Sequence, residues 1–226
     1  MCRNSISQII TIFSLKYVFR LVSWLVSHCD TQSKRENYVN KMKKIIPIDV
    51  SGKCSEIMKN KFFSPTRGSK EEKEFLSKYK FYIAFENSRC PHYVTEKLYK
   101  ILHMPVAENP PVPVVMGPRK KWYEENLPNN SFIHVDDYDS PEELASYLKY
   151  LDSHDESYLR YLNWRQNYRR VCEPKVRCKL CEFLLKKDNN EQSSDSKKDG
   201  NTYMITDFKE FWLKAKCFNI IALNKL

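Results

Sequence analysis

Glycine is scarce in this sequence, with four residues in 226. That scarcity excludes two large groups of phosphate-binding proteins. No G-x-G-x-x-G run is present, which argues against classical NAD binding, and no Walker-type loop is present for P-loop phosphoryl transfer. Long apolar runs are lacking too. The best stretch, residues 9–27 (IITIFSLKYVFRLVSWLVS), is interrupted by Lys16 and Arg20, whereas a spanning helix needs roughly 20 mostly apolar residues. Its second half, residues 21–27, reads more economically as a buried strand. No small-residue cleavage site follows a short apolar run, so no clean signal peptide is visible. Acidic residues are outnumbered, with 28 Asp and Glu against 38 Lys and Arg, a net charge of +10. A basic balance suits anionic partners. The bases are spread out and no recognised nucleic-acid motif holds them, so no nucleic-acid partner is expected; an anionic membrane and anionic small ligands stay open, and the densest basic stretch, residues 34–67, reads as a solvated helix face plus a loop.

What is there suffices for a folded domain. The chain is 42% hydrophobic and 13% aromatic, enough to bury a core. It carries eight cysteines, of which Cys172, Cys178 and Cys181 cluster and Cys217 follows near the end. Three thiols without a following histidine fall short of the usual zinc set of about four ligands. Disulfides are the favoured reading, zinc and buried free thiols stay open, and disulfides would place the chain in the secretory pathway. Asn129-Asn130-Ser131 is a glycosylation sequon that points the same way.

Strand and helix patterns alternate along the chain. RLVSWLVS (20–27) and IPIDV (46–50) read as strands around a helix whose face continues through Tyr38, Met42 and Ile45. Ser33 and Glu36 have the spacing of a capping box for that helix. A polar, basic connection with a short helix, KEEKEFLSK (70–78), leads to a second round. There, KFYIAFE (80–86) is a strand, VTEKLYKIL (94–102) a helix and VPVVMG (112–117) a strand. SFIHV (131–135) is another strand. SPEELASYLKYLD (140–152) is a helix capped by Ser140, with Pro141 at its first position and Glu143 completing the box. A second helix is expected over 155–171. The expected fold is α/β, a Rossmann-like parallel sheet with helices on both faces. Its expected division is an irregular leader (1–18), the α/β domain (19–186), a disordered linker (187–201) and a C-terminal amphipathic segment (202–226).

In such a sheet the strand C-termini share one edge, and ligands sit in the crevice outside it. Arg35 and the group Tyr93–Lys97 fall there, each in the first turn of a helix that follows a strand. A helix start favours anions and disfavours cations, so Arg35 and Lys97 are better placed with an anion, such as a diphosphate, between them; ordinary surface cations, common at helix starts, are the alternative. Asn87 and Glu96 have the chemistry to bind sugar hydroxyls, and Tyr93 to bond a phosphate or stack, although from spacing alone Glu96 reads better as a first-turn carboxylate that only helps its helix. Asp137-Tyr138-Asp139 has a metal-binding D-x-D form but reads better as an acidic turn before a capped helix. Cys90 with His92, and His28 with Cys29, are weak metal-pair candidates.

FENSRCPHYVTEKLY, VPVVMGP, SFIHVDDYDSPEELASYLKYLD and YLRYLNWR closely resemble the donor-binding half of the α1,3-fucosyltransferases, glycosyltransferase family 10. LVSWLVSHCDTQSKRENYV and IDVSGKC resemble the block that precedes it, and CKLC and FWLKAKC the family's cysteine-containing end. The resemblance implies the C-terminal half of a two-domain GT-B enzyme. It implies GDP-fucose as donor, an N-acetylglucosamine-bearing glycan as acceptor, inverting transfer, and a Golgi cisterna membrane setting on the lumenal side. Arg35 and Lys97 would contact the diphosphate, and Asn87, Tyr93 and Glu96 would complete the pocket. No metal cofactor is required, with manganese a stimulator at most. The resemblance implies that the catalytic base belongs to an N-terminal acceptor domain, which is not expected within these residues, so no base is named here. A GDP-fucose-binding module without turnover is the alternative. The sequence departs from the family at His92 and in a proline-rich insertion, HMPVAENPP (103–111), which is expected to loosen the helix before it.

Overall fold

The structure is a computed structural model that describes residues 20–55 and 65–168. Five strands form one parallel sheet: β1 (Arg20–Leu25), β2 (Ile48–Ser51), β3 (Tyr79–Phe85), β4 (Val112–Met116) and β5 (Ile133–His134). Their spatial order is β2-β1-β3-β4-β5. Six helices accompany them: α1 (Arg35–Met42), α2 (Lys70–Leu76), α3 (Glu96–Leu102), α4 (Lys120–Asn126), α5 (Pro141–Ser153) and α6 (Asp155–Arg160). The chain steps from β1 to β2 in one direction, then returns past β1 to β3 and continues outward. Right-handed crossovers therefore place α1 on one face and α2, α3 and α4 on the other. The point of reversal, between β1 and β3, is where this strand order opens a crevice.

Both faces are closed by apolar side chains, as a parallel sheet requires. Alternation along β3 sends Phe81, Ile83 and Phe85 to the core shared with α1, α5 and α6, among them Tyr38, Met42, Leu144, Leu148 and Tyr158. Tyr82 and Ala84 face the opposite core with Leu76, Leu98, Ile101 and Tyr123. Pro113 is the second residue of β4, so its missing N–H falls at the end of the ladder.

Local structure differs from the sequence reading in several places. Helix α1 stops at Met42, and Ile45 is exposed, because residues 43–47 turn to bring β2 into register beside β1. Its start is not a capping box. Lys34 takes the cap position in a left-handed conformation (φ 50°), and Ser33 Oγ instead donates to the Glu86 carbonyl at 2.8 Å. Glu36 closes the loop through the backbone and hydroxyl of Thr31. Ser140 does accept from the Glu143 N–H, while the Glu143 carboxylate reaches the Asp139 N–H, one residue before the boxed position. The helix expected over 155–171 ends at Arg160 and continues as a 3₁₀ turn, Asn163–Gln166. Helix α4, which the sequence patterns did not mark, spans KKWYEEN. Residues 20–25 are a strand, so the apolar stretch 9–27 is not one spanning helix, and no helix among the described residues is long and apolar enough to cross a membrane.

The insertion 103–111 is anchored. Met104 is buried, residues Val106–Glu108 make a 3₁₀ turn, and Glu108 pairs with Lys73 at 3.1 Å. Arg165 donates to the carbonyls of Ile101 and Met104, both at 2.9 Å, which caps the C-terminal end of α3. Burial pushes the Arg165 guanidinium down to about 10, a direction that marks how little water reaches it. The helix is fastened at that end, contrary to the expected loosening.

Cys29, after β1, is disulfide-bonded to Cys54, after β2. The expected cysteine group, Cys172, Cys178, Cys181 and Cys217, lies outside the described residues. Reducing Cys29–Cys54, whose sequence separation is 25, releases a loop whose closure is worth about 3 kcal/mol. Urea unfolding of Cys29→Ser/Cys54→Ser beside the oxidised chain should show a loss of that order.

Candidate functional site

The β1 and β3 carboxyl ends carry the loops that build the site. After β1, Val26 and Cys29 stay bonded to the segment after β2, and Ser33 then reaches the segment after β3. The Ser33 N–H donates to the Asn87 carbonyl at 3.0 Å, and Arg35 donates from Nη1 to the Phe85 carbonyl at 2.6 Å and from Nη2 to the His28 carbonyl at 3.0 Å. Arg35 is 2% exposed and lies 5.6 Å from the Trp24 ring centroid. Desolvation lowers its pKa against the pull of Glu36 and Glu86. It is therefore a buried staple between two strand ends rather than a surface cation, and its Nε–H has no partner among the described residues.

After β3, Glu86 turns inward and is 1% exposed. Its carboxylate accepts from the Thr95 N–H at 2.7 Å, from Thr95 Oγ1 at 2.8 and 2.9 Å, and from Lys97 Nζ at 2.9 Å. This residue was given no role in the sequence reading, and it changes the charge argument. The cation at the start of α3 already has a buried counter-ion, so Lys97 does not by itself demand a bound anion. A signal was present: a carboxylate that directly ends an apolar strand run has no water, so it must find a cation. Gly117 makes the room, since a Cβ there would lie 2.6 Å from Tyr123 Oη and 3.2 Å from Glu86 Cγ.

The other expected residues surround this pair. Asn87 follows Glu86, and its Oδ1 is buried without a partner among the described residues. The Tyr93 phenol is raised in pKa by desolvation, then by Glu86 and Glu96, with Arg35 opposing. Glu96 is half exposed, 3.5 Å from Arg67 and 3.9 Å from Lys97. Desolvation raises its carboxyl, but Lys97, its own N–H, Arg67 and Thr95 together hold it below the ordinary range. Of the five expected residues, Arg35 opens α1, Asn87 follows β3, Tyr93 lies in the loop before α3, and Glu96 and Lys97 stand in its first turn.

A second buried set braces the loop. Arg89, 1% exposed, donates from Nη2 to both Asp136 oxygens at 2.7 and 2.8 Å and from Nε to the Gly117 carbonyl at 3.3 Å. His134, fully buried, accepts the Asp136 N–H at Nδ1 (3.0 Å), so Nε2 carries the proton toward the Pro118 carbonyl at 3.2 Å. Neither residue was singled out from sequence. The weak metal pairs are overturned, because Cys29 is bonded to Cys54, Cys90 is in a separate disulfide, and His92 Nδ1 accepts the Trp122 indole N–H at 3.0 Å. Asp137 pairs with Lys120 within the acidic turn. Asn129 is exposed in the turn before β5, at the opposite edge of the sheet.

The sheet is doubly wound, and its order reverses between β1 and β3. Residues 16–199 match the profile described as Glycosyltransferase family 10 (fucosyltransferase) C-term, and the chain belongs to that family. It is 42% identical over 159 residues to 3-galactosyl-N-acetylglucosaminide 4-alpha-L-fucosyltransferase FUT3 of Bos taurus, covering 70% of this chain and 40% of that protein. It is 40% identical over 158 residues to human 4-galactosyl-N-acetylglucosaminide 3-alpha-L-fucosyltransferase 9, with the same coverage. Among solved structures, an α1,3-fucosyltransferase with GDP matches at TM-score 0.51 and 26% identity, covering 63% of this chain and 38% of that one. An α1,3-fucosyltransferase with GDP-fucose shares the fold at TM-score 0.52 and 24% identity, covering 68% and 40%. The chain spans about two fifths of the length of these relatives.

Two outcomes test the brace. Arg89→Ala should cost about 3 kcal/mol in urea unfolding, because it leaves Asp136 without its partner. Desolvation, opposed by Asp136 and the Pro118 carbonyl, depresses the His134 pKa. The unfolded chain then takes up that proton first, so stability falls as pH drops below about 6.5, by at most about 1.4 kcal/mol per pH unit. His134→Gln should flatten that part of the profile.

Proposed function

We propose that this chain is the donor-binding part of an inverting α1,3-fucosyltransferase. It takes L-fucose from GDP-fucose and passes it to N-acetylglucosamine of glycoprotein or glycolipid glycans. The observation that carries the reading is Lys97. In the family's Y-V-T-E-K block, this ammonium lies in the first turn of α3, 20% exposed, held by Glu86 and Thr95. An ammonium has three donors, and two are used. The third suits a phosphate oxygen. Arg35 adds a second positive charge between the ends of β1 and β3, and its Nε–H has no partner among the described residues. Asn87, Tyr93 and Glu96 are the polar groups at hand for the ribose and fucose hydroxyls. The solved relative with GDP supports a guanosine diphosphate ligand.

In the transfer, an acceptor hydroxyl attacks the anomeric carbon while the carbon–oxygen bond to the diphosphate breaks. GDP leaves with the electron pair. The work assigned to this chain is to hold the donor and to stabilise the charge growing on the leaving phosphate through Lys97 and Arg35. A base to accept the hydroxyl proton is expected in the acceptor domain of the family, and none of the residues described here is given that role. The linkage is read as α1,3 from the solved relatives, although the curated relatives include a 4-alpha enzyme. A disulfide between Cys29 and Cys54 suits an oxidising lumen, in keeping with a Golgi setting. Asn129, exposed and away from the crevice, is proposed as a glycosylation site.

Calorimetry with GDP tests the donor reading. Lys97→Ala should weaken binding by about 10- to 100-fold, the worth of a charged hydrogen bond. Unchanged affinity in that variant would remove Lys97 from the site. For the glycan, secretion from mammalian cells should give a mass that falls on glycosidase treatment and is already lower in Asn129→Gln.

A further inference from the structure

We propose that Glu86 is a positioning residue that fixes the ammonium of Lys97 before the anion arrives; this rests on the donor reading of Lys97. Glu86 is held along its whole length. Its N–H donates to the Met116 carbonyl at 2.8 Å, its carbonyl accepts Ser33 Oγ at 2.8 Å, and its Cγ lies against Gly117. Four segments therefore set the place of one carboxylate: the loop before α1, the end of β3, the end of β4 and the residue before α3. With 1% exposure it has no water to solvate it, and its listeners are few: Thr95 and Lys97 take both oxygens.

Lys97 is the flexible member. A lysine stem has four rotatable bonds, and here its end is tied to Glu86 at 2.9 Å and to Thr95 Oγ1 at 2.8 Å. The freedom that an exposed lysine would lose on gripping a phosphate is already lost in the unliganded chain. Glu86 also restrains the charge. One buried carboxylate against one ammonium leaves the pair neutral, so the crevice does not repel its own fold when no anion is present.

Glutamine at this position separates the roles. Its single oxygen can serve the Thr95 N–H, but its amide then presents donors to an ammonium that has only donors. Lys97 is released while the start of α3 keeps its bond. Removing a negative charge would, by charge alone, tighten anion binding. Positioning predicts the opposite sign, which is what makes the variant decisive.

Two readouts apply to wild type, Glu86→Gln, Lys97→Ala and the double variant. The first is the nitrogen-15 NMR signal of the Lys97 ammonium, assigned by its loss in Lys97→Ala; it needs no ligand. Positioning predicts a slowly exchanging signal in wild type that Glu86→Gln abolishes, and a signal that persists in Glu86→Gln overturns the proposal. The second is GDP calorimetry. Glu86→Gln should weaken binding by at least about fivefold, and the double variant should be no weaker than Lys97→Ala alone, the mark of two residues acting as one. Equal or tighter binding in Glu86→Gln, or losses that multiply, overturns the proposal. If wild type binds no GDP, the donor reading falls, and the ammonium signal still decides whether Glu86 holds Lys97. Should Glu86→Gln not fold, Thr95→Val removes the hydroxyl that bridges the pair. It should weaken GDP binding by about threefold, again with no further loss when combined with Lys97→Ala. Independent losses there overturn the proposal.

Discussion

The guanidinium of Arg35 lies at the only place in this sheet where neighbouring strands are reached by crossovers running in opposite directions. There β1 and β3 pair, but their following loops diverge, and nothing in the ladder itself ties those loops together. Arg35 does so by donating to the carbonyls of Phe85 and His28, while Ser33 reaches the carbonyls of Glu86 and Asn87. A buried guanidinium is tolerated because it is hydrogen-bonded and lies over the Trp24 ring. The loop after β1 is fastened to the end of β3 by these bonds.

Charge is arranged around that staple in fixed pairs. Lys97 is matched by Glu86, Arg89 by Asp136 and Lys100 by Glu72, each within 2.9 Å. Each pair links a loop or helix on one side of the sheet edge to another segment, so the pairs specify geometry more than they add stability. Helix α3, which carries Glu96 and Lys97, is secured at its start by Glu86 and at its end by Arg165. A helix of seven residues would be marginal by propensity alone. Its place comes from these two polar anchors and from Leu98 and Ile101 in the core.

Much of the fold was legible because periodicity is local. The strands over 20–25, 79–85 and 112–116 and the helix that begins at Pro141 follow from short apolar runs and a serine cap. Helix α4 was not legible, since KKWYEEN offers one buried residue, Tyr123, and no cap signal. The end of α1 was misread because Ile45 continues the helical spacing, but the chain must turn early to lay β2 beside β1. The cysteines show the same limit. Spacing drew attention to Cys172, Cys178 and Cys181, whereas Cys29 and Cys54 come together only because β1 and β2 are parallel neighbours.

For the site, the sequence alone determined membership of the family, through FENSRCPHYVTEKLY, and the position of Asn87, Tyr93, Glu96 and Lys97 at a strand-to-helix passage. Those are statements about neighbours along the chain. The roles of Glu86, Arg89 and His134, and the burial of Arg35, were decided by tertiary structure. Whether a charge is a surface cation, a staple or a counter-ion depends on what lies across the sheet edge from it. That partner is set by strand order, and strand order is a long-range property that no local pattern encodes.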